Sequence, residues 1–132
     1  MKFFTIAELC KSTTADRLGI NNRCRQEHVT ALTALVDNVL DPLRTWWGKP
    51  ITVNSGYRCP ELNAAVKGSK TSQHMKGEAV DIDTGDRQQN KLLFEYIRKN
   101  LPYDQLIDES NFAWVHVSYR ADGNNRMQVL KL

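Results

Sequence analysis

The chain has 132 residues, of which 41% are hydrophobic and 25% are charged, which favours one globular domain over a disordered or fibrous chain. The formal net charge is only +3 and the basic residues are scattered, so nucleic acid is not expected as a partner. No apolar run approaches the roughly 18 residues of a membrane span, and Glu8 interrupts the amino-terminal segment before a signal-peptide core develops, so we expect a protein that is cytoplasmic as synthesised.

Three cysteines, Cys10, Cys24 and Cys59, are present, and no two of them have CxxC spacing. Because this spacing does not fit a zinc knuckle, we expect reduced, structural thiols. The sequence leaves a disulfide between Cys10 and Cys24 open.

The amino-terminal half predicts two helices separated by a loop. Residues 5–8 have the S/T-x-x-E form of a capping box, which predicts a short helix ending near residues 13–14. Residues 16–22 contain a glycine and paired asparagines, which is typical of a loop. Over residues 25–46 apolar side chains recur at helical spacing, so this segment should form the main core helix, bent or broken near Pro42.

The remainder of the chain predicts strands and two further helices. Strands are expected over residues 51–54, 79–83, 103–107, 114–119 and 127–130, and helices over residues 60–66 and 87–100. A turn at residues 121–125 should join the last two strands. Helices first and strands later favour an α+β fold, with a small antiparallel sheet flanked by helices in a single domain over residues 1–132.

Two of these strands place metal-binding side chains between apolar residues. Because alternate residues of a strand point to opposite faces, Asp81 and Asp83 should lie on the polar face of one strand. By the same rule His116 lies on the polar face of another. His74 precedes the first of these strands, and Gly77 could turn the chain so that this imidazole meets Asp81.

Two imidazoles and one carboxylate suit zinc, with other first-row metals as possible substitutes. Three protein ligands leave one position for water, whose pKa zinc lowers towards roughly 7, so the pattern predicts a metal-dependent hydrolase. Each of the three residues taken alone is more simply a solvated side chain, and their combination is what favours a metal. His28 is one polar position on an amphipathic helix, and we expect it to be structural or exposed.

A hydrolase of this kind also needs a general base and a group that stabilises the oxyanion. Asp108 and Glu109 are the nearest acids before His116, although acids in such loops are commonly plain turn residues. Arg58 could bind a substrate carboxylate or the oxyanion through two parallel hydrogen bonds. It could equally be a surface arginine paired with Glu61.

The sequence resembles the zinc D-alanyl-D-alanine carboxypeptidase family in three motifs: Ser55-Gly56-Tyr57-Arg58, Ser72-x-His74-x-x-Gly77-x-Ala79-x-Asp81-x-Asp83 and Trp114-x-His116. That family includes the L-alanyl-D-glutamate endopeptidases of phage endolysins, and its fold resembles the hedgehog signalling domain. The likeness covers about residues 51–119, which we expect to be the catalytic core.

The resemblance implies one Zn²⁺ ion, bound by His74, Asp81 and His116. It also implies that Arg58 contacts the substrate or the oxyanion, and that Ser72 is a polar residue lining the substrate site. The substrate that it implies is the stem peptide of bacterial peptidoglycan. We expect the protein to act on it as a monomer.

The chain departs from the family at Ala113, because several members carry their catalytic carboxylate at this position, three residues before the last histidine. We therefore expect Glu109 to be the general base, with Asp108 as the second choice. Asp83 resembles the second acid of the motif and should orient a metal-bound histidine rather than bind the metal.

The leading hypothesis is a zinc metallopeptidase that cuts a peptidoglycan stem peptide, as a D-Ala-D-Ala carboxypeptidase or as an L-Ala-D-Glu endopeptidase. Because of Ala113, the alternative is a catalytically inactive, zinc-stabilised domain that binds the cell wall or a protein. The expected lack of a signal peptide fits a phage lysis enzyme released to the cell wall, and it fits a cytoplasmic dipeptidase as well.

Overall fold

The computed structural model describes residues 1–132 as a single α+β domain, which confirms the predicted fold class. The helices are α1 Ile6–Cys10, α2 Thr13–Leu18, α3 Gln26–Leu35, α4 Asp41–Trp47, α5 Pro60–Ala65 and α6 Arg87–Asn100, with a π-helical turn Val36–Leu40 and a 3₁₀ turn Gln73–Lys76. The strands are β1 Thr52–Ser55, β2 Ala79–Asp83, β3 Gln105–Glu109, β4 Trp114–Ser118 and β5 Gln128–Lys131. No helix is both long enough and apolar enough to cross a membrane.

The five strands form one sheet in the order β1-β2-β4-β3-β5. Every pair is antiparallel except β3 and β5, which are parallel. The expectation of a wholly antiparallel sheet is therefore wrong at one edge. Strand β4 is bonded to β2 on one side and to β3 on the other, so it has no free edge on which β5 could form a hairpin.

The segment between β4 and β5 is directed to the far edge by contacts at the start of β3. Arg126 donates hydrogen bonds to the Asp104 carboxylate from its backbone and its side chain. Immediately afterwards, the backbone nitrogens of Met127 and Gln128 donate to the carbonyls of Tyr103 and Asp104. These contacts place the chain beside the beginning of β3, where it continues in the parallel direction.

The amino-terminal half differs from expectation in two places. Residues 16–18 belong to α2 rather than to a loop, because the Ser12 hydroxyl accepts from the backbone nitrogen of Ala15 and so begins a second helix. The main core helix continues through Pro42, and its irregularity is the wider turn Val36–Leu40 just before that residue. A proline cannot donate to the carbonyl four residues earlier, and a widened turn accommodates that loss.

The hydrophobic core lies between one face of the sheet and the long helices. It comprises 19 buried residues, including Leu32, Leu35, Val36, Val39 and Leu43 from the α3–α4 segment, Leu93 and Ile97 from α6, and Val80, Ile82, Leu106, Val115 and Val117 from the strands. The alternation predicted for β2 and β4 is confirmed, since their apolar residues are buried in this core. The opposite face of the same strands is left for polar side chains.

A disulfide joins Cys10 to Cys24, whereas Cys59 is a free thiol. The expectation of three reduced thiols is therefore wrong for the first two. The backbone brings α1 and the segment before α3 together, which the spacing of the cysteines along the chain did not reveal. A disulfide that closes a loop of this size stabilises a fold by roughly 3 kcal/mol through loop-closure entropy.

The disulfide-linked segment contacts the turn that follows β1. The Asn22 side chain donates to the carbonyls of Cys10 and Tyr57 and accepts from the backbone nitrogen of Cys59. The backbone nitrogen of Tyr57 donates to the carbonyl of Leu9 at 2.8 Å. The turn at residues 56–59 is thus fixed from both sides by the amino-terminal segment.

Asp104 is a fully buried carboxylate that receives hydrogen bonds from several elements. It accepts hydrogen bonds from the Arg126 guanidinium at 2.7 Å and 3.0 Å and from the Gln73 amide at 3.0 Å, and it forms an ion pair with Arg120, whose Nε lies 3.2 Å away. Burial alone would raise the pKa of this carboxyl, but the hydrogen bonds and the charge of Arg126, together with Arg120, lower it to about 2. Its ionised form therefore stabilises the fold.

This depressed pKa predicts a specific loss of stability in acid. Because the folded pKa of about 2 lies below that of an unfolded aspartate, the stabilisation is present above about pH 4 and is lost as the pH falls towards 2. In urea titrations at pH 2, 3, 4 and 6, Asp104→Asn should remove about 2 kcal/mol of the pH dependence of the unfolding free energy. Asp16→Asn, at an exposed position, is the control, and an acid dependence that is identical in all three proteins would contradict the prediction.

Candidate metal centre

The polar face of the sheet carries Asp81 and His116 directly opposite one another. Asp81 of β2 pairs in register with His116 of β4, so the pairing of the two strands places the carboxylate beside the imidazole. His116 Nδ1 lies 3.0 Å from Asp81 Oδ1. The neighbours of both residues along their strands enter the core, which fixes the direction of these two side chains.

His74 reaches the same carboxylate from the 3₁₀ turn Gln73–Lys76. The Ser72 hydroxyl accepts from the backbone nitrogen of His74, and Gly77 ends the turn at φ 75°. A Cβ at Gly77 would lie 2.8 Å from the carbonyl oxygen of His28. Only glycine satisfies both the left-handed backbone and this close approach, so Gly77 turns the chain into β2 as the sequence predicted.

The orientation of the His74 ring is fixed by a backbone carbonyl. His74 Nδ1 lies 2.7 Å from the oxygen of Gly56, and its Nε2 lies 3.4 Å from Asp81 Oδ1. Donation from Nδ1 to the carbonyl leaves the lone pair of Nε2 facing the carboxylate, which is the arrangement that backbone carbonyls commonly impose on metal-binding histidines. The ring is almost fully buried.

The separations of these three side chains fit a tetrahedral metal site. Their candidate ligand atoms all lie within 4.8 Å of one another. Two ligands that are each about 2.0–2.1 Å from zinc at a tetrahedral angle are about 3.3–3.4 Å apart, which is close to the observed 3.0 Å and 3.4 Å. Burial raises the pKa of Asp81, but the adjacent imidazoles of His116 and His74 hold that pKa well below its ordinary value, so the carboxylate is ionised as a metal ligand must be.

A cleft of about 690 Å³ opens over the cluster, and Arg58 lines it. The backbone nitrogen of Arg58 donates to the carbonyl of His74 at 3.0 Å, and its Nη2 donates to the Ser72 hydroxyl at 3.3 Å. Its Nε is buried without a hydrogen-bond partner. The Arg58 side chain as a whole is only half-buried and lines the cleft, so the guanidinium that Ser72 holds is able to bind an oxygen of a ligand there.

Strand β3 directs Glu109 and Asp108 to opposite faces of the sheet. Across the β3–β4 pair, Ile107 faces His116 and Glu109 faces Trp114, and all four residues line the cleft. Asp108, one residue earlier on the strand, points to the opposite face of the sheet and is buried. It accepts a hydrogen bond from the backbone nitrogen of Phe112 at 2.6 Å. Of the two acids considered as the base, only Glu109 lines the cleft.

The environment of Glu109 raises the pKa of its carboxyl group. Burial raises the pKa of this carboxyl, and the nearby Asp81 carboxylate raises it further, whereas His116 acts in the opposite direction. A carboxyl with a raised pKa is better suited to accept and return a proton near neutral pH than an ordinary exposed glutamate.

Asp83 does not orient a histidine, which is the role that the sequence predicted for it. Its Oδ1 accepts from the backbone nitrogen of Gly85 and from the side chain of Asn90, both at 2.8 Å, and neither imidazole is among its partners. Asn90 is buried at the start of α6 and also donates to the carbonyl of Phe112. Asp83 therefore joins the end of β2 to α6, and the expectation that it orients a histidine is wrong.

Sequence reasoning missed several basic residues of the cleft. Lys67, Lys76, Arg120 and Arg126 all line it. The two arginines lie in the segment between β4 and β5, which has no regular periodicity, so no pattern in the sequence indicated which way they point. The only indication in the sequence that these arginines lie near the site was their position shortly after the strand that contains His116.

Two imidazoles and a carboxylate grouped beneath a cleft are the donor set of a catalytic zinc site. The family model described as Peptidase M15 matches residues 2–118, and the chain belongs to that family, whose metal is Zn²⁺. The chain is also 37% identical over 76 residues to the zinc D-Ala-D-Ala carboxypeptidase of Streptomyces albus G. That match covers 50% of this chain and 30% of the relative, so the chain corresponds to less than a third of the relative's length.

The cluster predicts one zinc ion per chain, with an affinity that depends on all three side chains. His116→Ala should weaken zinc binding by more than the roughly 10–100-fold that follows the loss of an outer-shell hydrogen bond, because it removes a ligand itself. Elemental analysis and competition with a chromophoric chelator measure this. His28→Ala is the control, since that imidazole stacks on Tyr57 outside the cluster, and equal losses in the two variants would contradict the assignment.

Proposed function

We propose that this protein is a monomeric zinc metallopeptidase that hydrolyses a peptide bond in the stem peptide of bacterial peptidoglycan. The observation that carries the proposal is the convergence of His74, Asp81 and His116 beneath a cleft that Arg58 and Glu109 also line. The substrate is supported by the 37% identity to a protein named as a zinc D-Ala-D-Ala carboxypeptidase. Membership of the Peptidase M15 family supports the reaction.

In this proposal His74 Nε2, an oxygen of Asp81 and His116 Nδ1 hold the metal. Zinc at such a site supplies a bound water with a pKa of roughly 7 and polarises the carbonyl of the scissile bond. Gly56 keeps His74 in the required tautomer through the contact of its carbonyl with Nδ1. Ser72 supports the site by accepting from the backbone of His74 and from Arg58.

Glu109 is proposed as the general base. Its carboxylate accepts the proton of the attacking water and then returns it to the amine that leaves, which requires a pKa above that of an ordinary glutamate. Burial raises the pKa of Glu109 in this direction. Glu109 faces Trp114 across the β3–β4 pair. We propose that it provides the carboxylate that is absent at position 113, where this chain has alanine.

Arg58 is proposed to bind the carbonyl oxygen on which negative charge develops, or a substrate carboxylate close to the scissile bond. The guanidinium is held by Ser72 through Nη2, and the half-buried side chain lines the cleft. A donor that is already in place when charge develops stabilises the transition state without reorganisation.

The alternative of a non-catalytic binding domain rests on Ala113 and is not favoured. Glu109 lines the cleft beside the cluster and offers a base from a neighbouring strand. The Cys10–Cys24 disulfide further supports a site of action in an oxidising environment, where such bonds persist. This is consistent with release of the protein to the cell wall.

Hydrolysis of purified muropeptides by the zinc-loaded protein tests the proposal. Release of D-alanine identifies a carboxypeptidase, and cleavage between L-alanine and D-glutamate identifies an endopeptidase. Glu109→Gln should lower kcat by about 10²–10⁴-fold, because it removes the general base, while zinc content stays unchanged.

Asp108→Asn is the matched control for that variant. It removes the same kind of charge from the neighbouring residue but keeps an oxygen that accepts from Phe112. Its kcat should be close to that of the wild type. Equal activity in Glu109→Gln and the wild type would contradict the role of Glu109, and an inert zinc-loaded wild type would contradict the function.

A further inference from the structure

The cleft over the cluster is lined by far more positive than negative charge. Five basic side chains line it, Arg58, Lys67, Lys76, Arg120 and Arg126, against two acidic ones, Asp81 and Glu109. Asp81 is already paired with both imidazoles. The unbalanced charge is therefore positive, and it favours an anionic ligand.

Two of these cations are fixed at one end of the cleft by a single buried carboxylate. Arg126 contacts both oxygens of Asp104, with Nε at 3.0 Å from Oδ1 and Nη2 at 2.7 Å from Oδ2. This two-point contact satisfies the carboxylate in the way that arginine and aspartate commonly pair. Arg120 adds a second guanidinium through its Nε, 3.2 Å from Oδ2, so the group carries one positive charge in excess.

The excess positive charge is exposed to the cleft and is not neutralised by another group of the protein. The side chains of Arg120 and Arg126 are 36% and 45% exposed, whereas Asp104 is completely buried. The Nη atoms of Arg120 and the Nη1 of Arg126 form no hydrogen bond within the protein. Asp104 therefore holds two guanidiniums in place while leaving their outer donors free.

Arg120 and His116 line the same cleft, but their backbones are separated along the chain. Arg120 follows His116 by four positions along and just beyond β4, which at about 3.3 Å per residue places their backbones about 13 Å apart. The arginine pair is thus separate from Arg58, which donates to Ser72 next to His74.

We propose that Arg120 and Arg126 form a second carboxylate-binding subsite, which takes an acidic side chain or terminal carboxylate that lies outside the two residues joined by the scissile bond. This inference rests on the proposed peptidase function and narrows its substrate class to anionic peptides that extend beyond the two residues at the cleaved bond. The free guanidinium donors bind the carboxylate directly, and Asp104 acts as the residue that positions them.

The test compares synthetic stem-peptide analogues that differ only in one acid or its isosteric amide. Fluorescein-labelled pairs carry Glu or Gln at each position from two to six residues on either side of the scissile bond. Dissociation constants are measured by fluorescence anisotropy on zinc-loaded Glu109→Gln protein, and kcat/KM is measured on the zinc-loaded wild type. At one position the acid should bind about tenfold more tightly than the amide, as expected for a charge-assisted hydrogen bond.

Arg120→Gln should abolish that preference while leaving the affinity for the amide peptide unchanged, because Arg126 still satisfies Asp104. Arg120→Lys keeps the charge and should retain part of the preference, and it replaces the Gln variant if that protein does not melt cooperatively. Arg98→Gln is the control for net charge, since Arg98 pairs with Glu95 on α6 and does not line the cleft. It should keep the full preference.

The outcomes separate this inference from the proposed function. An acid preference that Arg120→Gln removes supports the subsite even if no peptide is hydrolysed, and in that case the peptidase function alone is contradicted. Hydrolysis with equal kcat/KM and equal affinity for acid and amide at every position overturns the subsite and leaves the peptidase function standing. An equal loss of preference in Arg98→Gln overturns it too, because the effect would then come from net charge.

Discussion

The pairing of one carboxylate with two imidazoles is the interaction on which the rest of the site depends. Asp81 lies 3.0 Å from His116 and 3.4 Å from His74, and these contacts exist because β2 and β4 pair with Asp81 and His116 in register. A shift of one residue in either strand would exchange the polar and core faces. The core residues of these strands therefore also fix the positions of Asp81 and His116; they are Val80, Ile82, Val115 and Val117.

The third candidate ligand needs a separate set of supports, because His74 lies outside the sheet. Gly77 turns the chain into β2, and the carbonyl of Gly56 fixes the ring. Gly56 itself packs so tightly on α1 that a Cβ there would lie 2.0 Å from the oxygen of Leu9. Asn22 and the Cys10–Cys24 disulfide connect this turn to the amino-terminal segment, so residues remote from the catalytic motifs determine where His74 and Arg58 lie.

Local patterns in the sequence were sufficient for much of the fold and for the grouping of two imidazoles with one carboxylate. Helical spacing located α6, strand alternation located β2 and β4, and the same alternation put Asp81 and His116 on a shared face. The parallel strand β5 and the disulfide were missed because each depends on which distant segments meet in space. Asp83 was misassigned for the same reason, since its partner Asn90 lies on a helix that the motif does not include.

A crystal structure of the zinc-loaded protein, with anomalous diffraction recorded at the zinc edge, is the most direct measurement of the central claim. We predict one zinc peak about 2.0–2.2 Å from His74 Nε2, an oxygen of Asp81 and His116 Nδ1. The Glu109 carboxylate should lie within about 3 Å of the water in the fourth position. Zinc bound elsewhere, or a fourth position that no carboxylate of this chain approaches, would contradict the claim.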